Sequence, residues 1–159
     1  MNLVGLRLAL ESGVAFEVEP GLSILVAPVA VIAVLKMISY LDRPADRERD
    51  LHDLAYILEG HVSVEDERRF APEVLDARVA FEHSSAYLLG RDLREIVNRV
   101  ERKAIEGFVA RVRDERDPSA TQGKMARLGP SSWDQDPDEL LARIDAFVLG
   151  FHEGDGGKP

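Results

Sequence analysis

Pro28-Val29-Ala30-Val31-Ile32-Ala33-Val34-Leu35-Lys36-Met37-Ile38-Ser39-Tyr40-Leu41 is the stretch whose reading decides the fold. From Val29 to Leu41 it is too long for a strand and almost wholly apolar, which predicts a buried helix. Pro28 suits the helix's first turn and Pro44 lies just beyond its end. Lys36 is the one charge inside it. The most apolar run, Ile24 to Leu35, contains Pro28 and falls well short of the ~20 residues that span a bilayer, so it reads as core and not as membrane.

Downstream of this helix, Asp42 to Asp50 alternates in charge. Leu51, Leu54, Ala55 and Leu58 then form an i, i+3, i+4, i+7 stripe closed by Gly60. That predicts a second, amphipathic helix packed on the first. Upstream, Leu3, Leu6 and Leu10 recur at helical spacing and Gly13 is placed as a stop. Val14, Phe16 and Val18 alternate with Ala15, Glu17 and Glu19. Pro20-Gly21 makes a turn and Leu22 to Val26 resumes an apolar run, so a β-hairpin is expected. Its second strand is apolar on both faces and is expected to be covered on both sides.

Farther along, Val62 to Phe70 reads as a polar connection and Ala71-Pro72 opens a short helix through Val74, Leu75 and Ala77. Phe81 to Gly90 and Arg91 to Glu115 read as helix, either one bent or two. Arg116 to Asp138 collects Pro118, Gly123, Gly129, Pro130 and Pro137 and is expected to be a long surface loop. Leu140, Leu141, Ile144, Phe147, Val148 and Phe151 mark a final helix before a frayed tail from Gly154. The expected fold class is a mostly helical α+β chain: a short N-terminal helix and a β-hairpin followed by a helical bundle of about five or six helices. Its organisation is 1–27 helix plus hairpin, 28–115 helical domain, 116–138 surface loop, and 139–159 C-terminal helix and tail.

Composition narrows the chemistry. The 159 residues are 45% hydrophobic and 31% charged, as in a folded globular domain, and only 6% aromatic, so aliphatic packing dominates. A net charge of −9 repels phosphate backbones and anionic membranes, which disfavours nonspecific nucleic-acid binding. The absence of cysteine removes disulfides, thiolate zinc sites and cysteine nucleophiles. No secretory signal is visible at the N-terminus, and the expected location is the cytoplasm. Gly123-Lys124 and Gly157-Lys158 have Pro118 and His152 where a phosphate loop requires its first glycine. His52, His61, His83 and His152 show no metal-ligand spacing and receive no role.

One cluster remains. An unpartnered ammonium inside an apolar helix costs several kcal/mol, so Lys36 needs the surface, a carboxylate or a bound anion. Asp50 and Asp53 are i, i+3 on the next helix, with Arg49 beside them. All are expected to meet on one edge, either as a structural ion pair or as part of a phosphate site.

Leu35-Lys36-Met37-Ile38-Ser39-Tyr40-Leu41-Asp42-Arg43, followed by Arg49-Asp50-Leu51-His52-Asp53-Leu54-Ala55-Tyr56-Ile57-Leu58, resembles the downstream half of AbiEii-like nucleotidyltransferases, the toxin side of type IV toxin–antitoxin and phage-abortive systems. Glu19 to Pro28 looks like that family's last sheet strand, and Tyr87-Leu88-Leu89-Gly90-Arg91-Asp92 looks like part of its helical C-terminal region. The resemblance covers Met1 to about Val112 and is weak after Arg116. It implies a polymerase-β-like fold, with residues 1–27 as a remnant of the sheet. The implied activity is transfer of a nucleoside monophosphate from an NTP to an RNA or protein hydroxyl with Mg²⁺. By resemblance, Asp50 and Asp53 are catalytic and Lys36 and Arg49 contact the nucleotide phosphates. The family's Gly-Ser turn followed by Asp-x-Asp is missing from these residues, so the chain is expected to be the C-terminal portion of such an enzyme and incomplete on its own. The alternative is a non-catalytic helical module binding an antitoxin or a separate catalytic subunit. Self-association is expected through the hairpin.

Overall fold

The computed structural model describes residues 5–114, 116 and 121–153. It opens with α1 (Leu6–Glu11), then β1 (Val14–Glu19) and β2 (Leu22–Val26). Next come α2 (Val29–Asp42), α3 (Glu48–Gly60), the short α4 (Pro72–Asp76), α5 (Ser84–Ile96), α6 (Arg99–Val112), α7 (Gln122–Leu128) and α8 (Pro137–His152). Single 3-10 turns cover Glu67–Phe70, Phe81–His83 and Ser131–Trp133. The class is the expected one, a mostly helical α+β chain with a two-stranded antiparallel hairpin at its start.

Helix α2 is the central element. Ala30, Val31, Ala33, Val34, Met37, Ile38 and Tyr40 are buried, leaving only a narrow strip of its surface near solvent. Helix α3 lays Leu51, Leu54, Ala55 and Leu58 against it, the stripe read from the sequence. Helices α5 and α8 cross at backbone contact. A Cβ on Gly90 would lie 2.1 Å from the Phe147 carbonyl oxygen, and one on Gly150 2.1 Å from that of Tyr87. Helix α6 is separate from α5. Val97 is extended, and the Asn98 side chain caps the new helix by accepting from the amides of Val100 and Glu101 while the Glu101 carboxylate accepts from the Asn98 amide.

Two expectations need correction. Residues 116–138 are not a surface loop throughout: α7 and the turn at Ser131–Trp133 lie within them, and Met125, Ala126 and Trp133 are fully buried against α3 and α8. The glycines and prolines there delimit short elements whose burial comes from packing too local to show as a period. The second strand of the hairpin is not covered on both sides by any described residue. Val14, Phe16, Ile24 and Val26 share one face through the pairs Val14↔Val26 and Phe16↔Ile24, and both strands are exposed along their whole length. Gly21, at φ 80°, supplies the left-handed turn. The tail from Gly154 lies outside the described residues.

Candidate functional site: a lysine held by two aspartates

Packing α3 on α2 brings the first turns of α3 beside the C-terminal half of α2. The Lys36 Nζ lies 3.3 Å from Asp50 Oδ1 and 2.5 Å from Asp53 Oδ2. Asp50, in the first turn of α3, is 7% exposed, where the helix dipole favours its charge. Its other oxygen, Oδ2, is buried with no hydrogen-bond partner. Asp53 uses its second oxygen to bind His52 Nδ1 at 3.1 Å, and the His52 ring packs on Tyr56 with centroids 4.7 Å apart.

The electrostatics follow from these contacts. Partial burial works against the charged form of Lys36, but hydrogen bonds and opposite charge from Asp53 and Asp50 outweigh it, and its pKa is raised above the usual 10.5. The hydrogen bond from Lys36, assisted by His52, holds Asp53 below the usual 3.8. Two of the three ammonium protons are engaged by carboxylates, which leaves one donor on a side chain still 24% exposed.

Three of the four candidate residues therefore come together. Arg49 does not join them: it is exposed, and it makes no hydrogen bond or ion pair with the other three. The sequence assigns no role to His52 or Tyr56. The available signal was their i, i+4 spacing immediately beside Asp53. It also gave no role to Lys124, which ion-pairs with Glu48 and ties α7 to the start of α3.

Carboxylate oxygens are suitable donors for Mg²⁺, but here the ammonium already fills the position between the two aspartates. Only the buried Asp50 Oδ2 is left over, and among the described residues no group of three His, Cys, Asp or Glu side chains is placed to hold a metal ion. The described residues do not fit a Mg²⁺ site.

At the other end of α3 a cavity of about 580 Å³ is walled by Glu59, Arg69, Phe81 and Arg143 among others. Its polar groups are turned on one another. Glu59 Oε2 accepts from Trp133 Nε1 at 2.9 Å and from Arg143 Nε at 2.8 Å, and Arg69 donates to the carbonyls of Val62, Ser63 and Phe81 and to Ser84 Oγ. Burial holds the Arg69 pKa below its usual value against the opposing charges of Glu59 and Asp66. These contacts knit the 62–84 segment and the 3-10 turn at Trp133 to the core.

Fold and site together define a helical α+β protein built around a lysine clamped by two helix-start carboxylates. A family model described as the nucleotidyl transferase AbiEii toxin of type IV toxin–antitoxin systems matches residues 6–143, and the chain belongs to that family. The match runs past Val112 through α7 and into α8, beyond the range of the sequence resemblance. No curated protein and no solved structure matches the chain. Membership in a type IV toxin family implies an antitoxin partner. No helix among the described residues is long and apolar enough to cross a membrane.

Proposed function

We propose that this chain forms the lysine-bearing wall of a nucleotidyltransferase site, the C-terminal part of a polymerase-β-like enzyme that moves a nucleoside monophosphate from an NTP to an RNA or protein hydroxyl in the cytoplasm, in the setting of phage defence. The observation that carries it is the Lys36 ammonium, held by Asp50 and Asp53 on a side chain still 24% exposed, with two of its three protons engaged by these carboxylates. A cation oriented in advance stabilises charge on a phosphoryl group without reorganising during the reaction. Asp50 and Asp53 act on Lys36: they keep it protonated and aim it. No step through Mg²⁺ is assigned to them, and the family's Gly-Ser turn followed by Asp-x-Asp is missing from this sequence. Arg49, exposed at the start of α3, is a second phosphate contact once a triphosphate is in place.

A second reading draws on the bare apolar face of the hairpin: a non-catalytic module whose exposed ribbon meets an antitoxin, a catalytic subunit or a second copy. Equilibrium dialysis with labelled NTP separates the two readings. The first expects binding that is lost in Lys36→Met/Asp50→Asn, a variant that leaves no buried charge unpaired. Equal binding by this variant and the parent chain overturns the first reading.

A further inference from the structure

Of the three tyrosines, Tyr40 and Tyr87 are buried with their hydroxyls bonded to Thr121 and Glu153, whereas Tyr56 is 50% exposed. Its ring is packed against the imidazole of His52, tilted by 32°. That imidazole is not free to turn, because Nδ1 is bound to Asp53 Oδ1, while Asp53 Oδ2 holds Lys36. A single carboxylate thus fixes both an exposed aromatic surface and the candidate phosphate cation. Asp53 and Tyr56 are i, i+3 on α3, where Cβ atoms are about 5–6 Å apart, so ring and ammonium lie within the reach of one nucleotide.

We propose that Tyr56, backed by His52, is the seat of the nucleobase of a nucleoside triphosphate whose phosphates lie at Lys36. The inference rests on the nucleotide-binding reading above. A π-face suits this place because it adds affinity without adding charge to a site already rich in carboxylates. Stacking accepts any base, since every base has a π-face, so the seat confers binding with little choice among bases. The half-exposed Tyr56 ring becomes covered when the base sits down. His52 presents Nε2 away from Asp53, where a ribose or base edge can accept or donate a hydrogen bond.

Dialysis of the full chain against two probes, ATP and inorganic tripolyphosphate, each with Mg²⁺, tests the seat separately from the phosphate contact. The expected result is that Tyr56→Ala weakens ATP binding on the order of tenfold and leaves tripolyphosphate binding unchanged, while Tyr56→Phe restores ATP binding. Lys36→Met/Asp50→Asn is expected to weaken both probes. Tyr56→Ala binding ATP as tightly as the parent chain, or losing both probes alike, overturns the base seat and leaves the phosphate reading standing. Failure of the parent chain to bind either probe overturns both.

Discussion

Replacing Lys36 by Met keeps the apolar stem in α2 and removes only the ammonium. What it leaves behind is Asp50, 7% exposed, with one oxygen already unpartnered and the other now abandoned. Breaking a fully buried pair costs ~3–5 kcal/mol and an exposed one ~0–1 kcal/mol. Here the side chains are 24% exposed for Lys36, 10% for Asp50 and 34% for Asp53, an intermediate case, so the expected loss is about 2 kcal/mol. Adding Asp50→Asn removes the stranded charge and is expected to return about 1 kcal/mol, a coupling characteristic of groups in direct contact. Urea unfolding at neutral pH reads both numbers, the first as a midpoint shift of about 1 M.

The pH dependence has a definite sign. The pKa of Asp53 is depressed, so its contribution is fully present above 3.8 and is lost as pH falls through the lowered value. The pKa of Lys36 is raised, so its contribution is present below 10.5 and is lost as pH rises through the raised value. The gap between wild type and Lys36→Met should therefore be widest between these limits and close beyond each. Indistinguishable midpoints for the two proteins, or a further loss on adding Asp50→Asn, would refute the claim that these groups hold one another.

Gly150→Ala places a methyl group 2.1 Å from the Tyr87 carbonyl oxygen, so α5 and α8 must separate; a loss of about 3 kcal/mol is expected in thermal melts, and an unchanged melt would show the crossing to be looser than described. Light scattering at micromolar concentration is expected to give a dimer or larger species that Phe16→Glu returns to monomer, whereas a monomeric parent chain would remove the argument from the bare hairpin face. Incubation with labelled NTP, Mg²⁺ and bulk RNA is expected to give no detectable transfer, since the family's Gly-Ser turn followed by Asp-x-Asp is missing from this sequence, and robust labelling would contradict that.

Much of the candidate site was legible because its logic is local. A lysine set among Leu35, Met37 and Ile38 must find a counter-charge, and Asp50 and Asp53 are paired carboxylates at the start of the next helix. The parts that went unread involve partners distant in sequence. Trp133 and Arg143 meet Glu59 across more than seventy residues, and Arg69 is satisfied mostly by backbone carbonyls, which carry no side-chain signature. Helix α7 went unread for a related reason: Met125 and Ala126 are too few to set a period, and their burial depends on where α3 and α8 stand.

Periodicity and turn chemistry settled α2, α3, the hairpin and α8, because 3.6-residue and two-residue patterns are imposed by the backbone before any tertiary contact forms. Chain packing settled the rest. The position of α3 on α2 turned three separated charges into a clamp, left Arg49 outside it and set His52 and Tyr56 beside it. That arrangement depends on the angle and register between two helices, which hydrophobic stripes constrain only to a face and which the shapes of the packed side chains then select.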